Sequence, residues 1–339
     1  MSVHPHPQAE IRIDNVLADQ PRDQRVADIV AGLQDTPRRI SSMYFYDDRG
    51  SQLFEQITRL PEYYPTRTEK ALLRAFSNTD AQRLGDVDIV ELGSGDCSKI
   101  SLILAGLDTD ALSRLRYVPV DVSEFAIRKS AGNLARKHPS LEIHGLVADF
   151  LTQLACVPDG RRRLFCLLGS TIGNFGDQQR HNLLCSLAGA MQPQDELLLG
   201  VDLAKSVSVL ERAYNDAKGV TAAFNRNILR AVNNLAGTDF HPDWFEHAAF
   251  YNPQHGRIEM HLRANRDMQV DLSAAGEQPL GIACGETIHT ENSYKFQLDQ
   301  MQQILRQAGL ELTACLQDNK AWFALLRVRP AGRGDYVGR

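Results

Sequence analysis

Val87-Asp88-Ile89-Val90-Glu91-Leu92-Gly93-Ser94-Gly95-Asp96-Cys97-Ser98-Lys99 decides how this chain folds. The run Val87–Leu92 has the length and apolar content of a strand buried on both faces. It runs into Gly93 and Gly95, which let the backbone turn tightly and meet a ligand with no Cβ in the way. A helix is expected from near Ser98, because Ile100, Ile103, Leu104 and Leu107 fall on one helical face. Its first turn would point free N–H groups at the glycine loop. Further on, Tyr117–Val120, Leu141–Val147, Leu164–Leu168 and Leu197–Val201 also read as strands. Amphipathic stretches lie between them, one marked by Leu183, Leu184, Leu187 and Met191. Such alternation demands crossover connections, hence a mostly parallel sheet with helices on both faces.

The glycine loop alone does not separate a dehydrogenase from other nucleoside binders. Its surroundings do. Cys97 stands where a pyrophosphate would favour a third glycine. The second strand ends in Val118-Pro119-Val120-Asp121-Val122-Ser123, and a carboxylate at that tip can accept both ribose hydroxyls. The third ends in Ala148-Asp149-Phe150, where Asp149 could accept from an adenine amino group and Phe150 could line the ring. One acid at a strand end is ordinarily a helix cap. Glu91, Asp121 and Asp149 follow strands one, two and three in order, which favours a nucleoside. A sulfonium nucleoside carries no phosphate and needs no third glycine. The expected cofactor is therefore S-adenosylmethionine rather than NAD, held by Gly93, Gly95, Lys99, Asp121, Asp149 and Phe150. Lys99 would meet the cofactor carboxylate. Glu91 could orient the loop or answer the positive end of the methionine moiety.

The pattern changes after the fifth strand. Ser206 to Leu235 reads as helical throughout, with Phe224, Ile228, Val232 and Leu235 on one stripe. Glu246–Tyr251 and Arg257–Ala264 then read as a hairpin around Asn252-Pro253-Gln254-His255-Gly256. Ile258, Met260 and Leu262 alternate with Glu259, His261 and Arg263, as in a half-buried strand, and Met268–Leu272 could be a third. The α/β pattern resumes with a helix through Phe296, Met301 and Leu305 that stops at Gly309. Leu310–Gln317 and Ala321–Val328 pair around Asp318-Asn319-Lys320, a terminal hairpin of the kind common among class I methyltransferases.

Bulk properties exclude other classes. The 339 residues are 43% hydrophobic and 23% charged, enough to bury a core. A net charge of −5 with no basic block argues against a nucleic-acid partner. No apolar run approaches the roughly 18 residues that cross a bilayer, and the polar start lacks a secretory core. The six cysteines form no CxxC pair, which fits a reducing cytoplasm. The ten histidines show no HxxxH or HExxH spacing, so no metal is expected. The chain is read as a monomer, with residues 1–14 and 331–339 as flexible tails.

After the fourth strand comes Gly169-Ser170-Thr171-Ile172-Gly173-Asn174-Phe175, in place of the Asn/Asp-Pro-Pro-aromatic motif of many nucleic-acid methyltransferases. Here the sequence closely resembles the L-histidine Nα-methyltransferases of ergothioneine biosynthesis, over nearly the whole chain. The strings that carry the likeness include Phe45-Tyr46-Asp47-Asp48-Arg49-Gly50-Ser51 and Leu60-Pro61-Glu62-Tyr63-Tyr64-Pro65-Thr66-Arg67. They continue through Glu91–Gly95, Gly169–Asn174, Arg257-Ile258-Glu259-Met260 and Thr290-Glu291-Asn292-Ser293-Tyr294-Lys295-Phe296.

The resemblance implies a class I, Rossmann-like methyltransferase domain over 69–204 plus 295–330. It also implies a second α+β substrate lobe over 15–68 plus 205–294. Its small-molecule substrate would be L-histidine, methylated three times on the α-amine to hercynine. Asn174 and Tyr214 match the pair set to hold the α-carboxylate, by an amide N–H and a phenol O–H. Tyr64 matches a substrate-contacting tyrosine and Tyr46 one near the amine; both are the catalytic candidates. Glu291 and Ser293 match the imidazole readers, and their i, i+2 spacing would put both on one side of a strand. Met260 resembles the pocket residue packed on the ring, and Gly169 and Asn292 complete the substrate set.

Plainer roles stand beside these. Met260 shares a strand face with Ile258 and Leu262, as a core residue would. Tyr63 and Tyr64 could anchor an edge, Asn174 could cap the next helix, and Glu291 could be a solvated strand residue. His289 shares parity with Glu291 and is read as a wall residue. Two rival functions remain. One is N-methylation of another aromatic amino acid or amine, and the other is a non-catalytic protein that senses S-adenosylmethionine. A dehydrogenase is disfavoured by Cys97.

Overall fold

The computed structural model describes residues 10–17, 22–80 and 84–332. They fall into two compact units, one within Met1–Ala18, Thr68–Leu203 and Phe296–Arg339, the other within Asp19–Arg67 and Ala204–Lys295.

The first unit is built on eight strands: β1 (Ile11–Asn15), β2 (Val87–Leu92), β3 (Arg116–Asp121), β4 (Glu142–Val147), β5 (Arg162–Leu167), β6 (Glu196–Asp202), β7 (Leu310–Gln317) and β8 (Phe323–Pro330). Their order in the sheet is β1-β4-β3-β2-β5-β6-β8-β7. β1 to β6 run parallel to their neighbours, whereas β8 is antiparallel to β6 and β7 to β8. From β2 the chain winds to β3 and β4 on one side, then crosses to β5 and β6 on the other. Strand order thus reverses at β2, and ligands of open α/β sheets bind outside the carboxyl ends at such a reversal.

Every residue of β2 is buried, which is why its sequence is a nearly continuous apolar run. Ile89 and Val90 are fully covered, each worth about 1.5–3 kcal/mol of burial. Its two charged residues both have partners: Asp88 lies opposite Arg116 of β3 and is paired with it, and Glu91 accepts from Tyr117. Leu72, Leu73 and Phe76 of the helix Tyr64–Thr79 join Ile100, Ile103, Leu104, Tyr117 and Phe323 in one core.

The expected helix after the glycine loop is shorter than its apolar pattern. It spans Ile100–Leu104, and a new helix, Thr109–Arg114, opens on Asp108, whose carboxylate accepts from the N–H of Ala111. Gly106 marks the break, since a Cβ there would sit 2.1 Å from Ser77 Oγ. The expected tail over residues 1–14 is corrected at its end. Ile11–Asn15 is a strand paired in register with Ile143–Val147. Asn15 accordingly joins the sheet of the first unit rather than the second lobe. Residues 1–9 and 333–339 lie outside the described residues.

The second unit carries a sheet in which Thr287–Tyr294 lies between Arg257–Ala264 (antiparallel) and the short Arg38–Arg39 (parallel). Phe245–Asn252 pairs antiparallel with Arg257–Ala264, as the hairpin reading expected. Met268–Val270 instead joins Leu280–Ile282 in a separate two-stranded ribbon. The helix Val220–Ala236 packs on the larger sheet, where Asn225 bonds to His247, to the carbonyl of His261 and to Thr290, while Phe224 stacks on Phe45.

The long helix expected over Ser206–Leu235 is two helices, Val207–Tyr214 and Val220–Ala236. Asp216 makes the break. Its carboxylate accepts from the N–H groups of Val220 and Thr221 at 2.9 and 2.7 Å, while Gly219 takes φ +70. Asp216→Ala should cost about 1–2 kcal/mol, the usual loss of an N-terminal cap. Thermal denaturation would read this as a lower Tm.

Candidate active site

The glycine loop at the tip of β2 depends on backbone angles that glycine tolerates: φ is +73 at Gly93 and +50 at Gly95. Cys97 also takes φ +55. It thus adopts the left-handed backbone a third glycine would supply, while its side chain is 3% exposed. Asp121, at the tip of β3, staples the loop by accepting from Gly95 N–H at 3.1 Å and Ser123 N–H at 3.0 Å. Burial raises its carboxyl pKa, and those backbone donors oppose the rise. Phe150 stands against the loop, since a Cβ on Gly93 would lie 3.6 Å from its ring. Asp149 is engaged in its own turn, accepting from Leu151 N–H at 2.9 Å and Thr152 Oγ1 at 3.3 Å.

Inside the loop, Ser94 Oγ is buried with no hydrogen-bond partner among the described residues. An orphaned buried hydroxyl is costly unless a ligand meets it. Open glycine backbone, a stapled carboxylate and an aromatic wall fit a sulfonium nucleoside, which Asp121 and Phe150 could hold.

Behind the loop is a buried cluster that the sequence reading saw only in part. Tyr117 donates to Glu91 at 2.5 Å, and Cys97 Sγ lies 2.9 Å from the same phenol oxygen. Burial pushes Glu91 up to about 8, against the pull of Tyr117 and Lys99. At neutral pH Glu91 is therefore mostly an uncharged acid, which favours its loop-orienting role over an electrostatic one. A carboxyl raised in the folded state contributes stability fully below its ordinary pKa of 4.5, and loses it as pH climbs through about 8. Glu91→Gln does not titrate, so its Tm relative to the natural chain should rise between pH 5 and pH 9. Paired thermal melts at those pH values would check the sign.

Lys99, Gly169 and a residue not foreseen, Glu69, form a second cluster. Glu69 is fully buried, with one carboxylate oxygen 2.9 Å from Lys99 Nζ and the other accepting from Gly169 N–H at 2.6 Å. Gly169 takes φ +82, and a Cβ there would meet Lys99 Nζ at 2.6 Å. The signal for Glu69 was present: it precedes Leu72, Leu73 and Phe76 at i+3, i+4 and i+7, a lone acid on an apolar helix face. Asn174 ends a single helical turn, Thr171–Asn174, after Ser170 at φ +57. It does not cap the following helix, Asp177–Ala190, whose N-cap is Gly176.

In the second unit, Tyr64 is 1% exposed and its hydroxyl accepts from Lys205 at 2.8 Å. Tyr46 is 48% exposed and stands edge-on to Phe54 and Phe224, with centroids 5.8 and 6.0 Å away. Phe54 in turn meets Tyr63, and Tyr63 meets Tyr214. Tyr214 donates to Ser293 at 2.7 Å, and Lys295 donates to Ser293 at 2.7 Å and to Tyr214 at 3.0 Å. Glu291 lies opposite Met260 in the sheet register, and Met260 is 1% exposed. Burial pushes Glu291 up to about 7, with Lys295 pulling it down.

A β-bulge between His289 and Glu291 changes two assignments. Thr290 is the extra residue, buried and bonded to Asn225 and to the carbonyl of Met260. His289 therefore does not share a face with Glu291. Its Nε2 meets Asn292 Oδ1 at 2.9 Å, and its ring stands 5.0 Å from His261. Asn292, adjacent to Ser293 in the strand, points to the opposite face with its amide oxygen engaged, so its side chain is withdrawn from the substrate set.

That outer face also gathers Glu259, His261 and His289, a grouping invisible to linear spacing. Glu259 is already bound there by Arg257, Asn252 and His261. Against burial, Arg257 and His261 hold its carboxyl down at about 2. Hydrogen bonding accounts for this network.

A family model described as histidine-specific methyltransferase, SAM-dependent, matches residues 25–330. The chain belongs to this family. As a member of the histidine-specific methyltransferases it uses S-adenosylmethionine, and its first unit is the class I methyltransferase sheet. It is 42% identical over 310 residues to the histidine N-alpha-methyltransferase of Mycolicibacterium smegmatis, covering 91% of this chain and 96% of the relative. The Mycobacterium tuberculosis protein of the same name is 42% identical over 298 residues, covering 88% and 92%. Ergothioneine biosynthesis protein 1 of Neurospora crassa is 31% identical over 287 residues, which span 82% of this chain and 32% of that one.

Proposed function

We propose that this enzyme methylates the α-amine of L-histidine three times in succession, giving N,N,N-trimethylhistidine for ergothioneine biosynthesis. The observation that carries the reading is the inner sheet face of the second unit. There a half-buried carboxylate, Glu291, lies opposite the buried Met260 and two residues from the hydroxyl of Ser293. A carboxylate that accepts an N–H, a hydroxyl for a second ring nitrogen and a thioether for the ring face together suit an imidazole. The names and near-complete overlap of the bacterial relatives support the same substrate.

S-adenosylmethionine, when bound, supplies the electrophilic methyl group. Asp121 is assigned to its ribose, with Gly93, Gly95 and Phe150 around it. Lys99 and Gly169, tied together by Glu69, would brace the loops at the strand tips. Asn174 and Tyr214 are assigned to the histidine α-carboxylate. Tyr64 and Tyr46 are assigned to the amine. The Tyr64 hydroxyl beside the Lys205 ammonium is suited to easing a proton off an arriving ammonium, directly or through water. Good orientation alone can be worth roughly 7–11 kcal/mol, so no strong acid–base pair is required. Aromatic rings near the amine would accommodate the growing cation at about 0.5–2 kcal/mol. A cytoplasmic location is part of the proposal, and the six cysteines are free thiols as a reducing compartment would leave them.

The test is direct. Incubated with L-histidine and S-adenosylmethionine, the protein should yield products heavier by one, two and three methyl groups in mass spectrometry. A panel containing tryptophan, phenylalanine and tyrosine should stay unmodified. Methylation of one of these in preference to histidine would replace the substrate.

A further inference from the structure

Glu69 belongs to the first unit, on the helix Tyr64–Thr79, and is fully buried. One oxygen of its carboxylate accepts from Gly169 N–H at 2.6 Å, just beyond the end of β5. The other has no hydrogen-bond partner among the described residues and stands 2.9 Å from Lys99 Nζ. The Lys99 ammonium is therefore what compensates that oxygen. Two glycines make room for the pair. A Cβ on Gly200 of β6 would sit 2.2 Å from Glu69 Oε1, and one on Gly169 would sit 2.6 Å from Lys99 Nζ.

Only an ionised carboxylate suits this seat. Gly169 N–H and the Lys99 ammonium are both donors, and a carboxylate accepts on both oxygens. An amide of the same shape would turn its NH2 group on one of them. Lysine is among the residues with most rotamer freedom to lose, and Lys99 keeps 24% of its side chain exposed. Beside a neutral group its ammonium would be better solvated by water. Beside Glu69 it is held over the end of β5, with one of its three donors engaged.

The sheet order says which end of the cofactor arrives there. Asp121 and Phe150, assigned to the nucleoside, follow β3 and β4 on one side of β2, whereas Gly169 follows β5 on the other. A nucleoside over β3 and β4 sends its amino-acid end across β2 toward Lys99.

We propose that Glu69 is a positioning residue that holds the Lys99 ammonium for the carboxylate of S-adenosylmethionine, so that the enzyme prefers nucleosides carrying an amino-acid end. The inference rests on the cofactor assignments above and deepens them; it is independent of which amine is methylated. Glu69 touches no reacting atom in this scheme and acts through Lys99.

The test is calorimetric titration of the full chain with two ligands. S-adenosylhomocysteine carries the amino-acid end, and 5′-methylthioadenosine keeps the nucleoside and the sulfur but lacks it. Lys99→Met should raise the Kd for S-adenosylhomocysteine roughly 10- to 150-fold, the scale of one hydrogen bond to a charged group, and leave that for 5′-methylthioadenosine within about twofold. Glu69→Gln should show the same selectivity at about tenfold. Added to Lys99→Met, Glu69→Gln should cost less than about a further twofold, because the ammonium it acts through is gone. Equal losses for both ligands in Glu69→Gln would make Glu69 a support of the fold alone. Losses that multiply in the double variant would show that it acts without Lys99. Either result would overturn the inference. A Lys99→Met chain that binds S-adenosylhomocysteine as tightly as the natural one would dismiss the Lys99 assignment and the inference together, with the histidine reading untouched. Should Glu69→Gln not fold, Gly169→Ala serves instead, since its methyl group would displace Lys99 Nζ. It should lower the preference for S-adenosylhomocysteine over 5′-methylthioadenosine about tenfold, and an unchanged preference would equally overturn the inference.

Discussion

Glu291→Ala should raise the Kd for L-histidine by roughly 30- to 150-fold, the equivalent of about 2–3 kcal/mol for one hydrogen bond to a charged group. The Kd for S-adenosylhomocysteine should stay within about twofold, less than 0.5 kcal/mol. The size follows from burial. Glu291 is half-buried, and desolvation holds it up at about 7, with Lys295 pulling the other way. An imidazole N–H therefore finds a partner in Glu291 that water would not readily replace. Truncation leaves that N–H without its partner in a partly desolvated site, which is the expensive case. The sign with pH is fixed too. Below about 7 Glu291 is protonated and a poorer acceptor, so histidine affinity should rise as pH climbs through neutrality in the natural chain. That rise should be blunted in Glu291→Ala. Calorimetric titrations of both ligands would decide. Equal losses for histidine and S-adenosylhomocysteine would mean that Glu291 supports the fold rather than the ring.

Asp121→Ala should do the reverse, raising the Kd for S-adenosylhomocysteine about 100-fold or more, the scale of two hydrogen bonds to an ionised carboxylate. Two functions end at this side chain. It is the acceptor assigned to the ribose hydroxyls, and it holds the glycine loop through Gly95 N–H and Ser123 N–H. Asp121→Asn separates them, because an amide oxygen can still accept one backbone bond but offers fewer acceptor sites to a diol. The Asn variant should therefore fall between the Ala variant and the natural chain. Cofactor affinity unchanged by either substitution would dismiss the ribose assignment.

The parallel sheet was legible because strands buried on both faces leave long apolar runs, and each run ended in glycine or an acid at the ligand-facing tip. The family strings pointed to the residues proposed here to hold histidine. Features that depend on how the backbone departs from regularity were not legible. The bulge at Thr290 puts His289 and Glu291 on opposite faces, and threonine there carries no mark of an extra residue. The break at Asp216 and Gly219 had its signals, a capping acid and a glycine, but the apolar stripe on either side outweighed them. Lys295 lay inside a quoted string yet received no role, because one of its partners, Tyr214, lies in a distant helix that only the fold brings to it. Glu259, His261 and His289 meet only across paired strands, so no linear spacing could bring them together.

The N-terminal strand Ile11–Asn15 went unread because it offers only two apolar residues, and Ile11 is 43% exposed. Its contribution is topological. It occupies the flank of Glu142–Val147, one border of the sheet. Stripped of those five residues, the protein would present a row of unsatisfied amides and carbonyls beside well-covered apolar side chains, a template for strand addition by another molecule. Such a shortened chain should keep its catalytic apparatus and yet self-associate, so that this segment acts as a guard against aggregation.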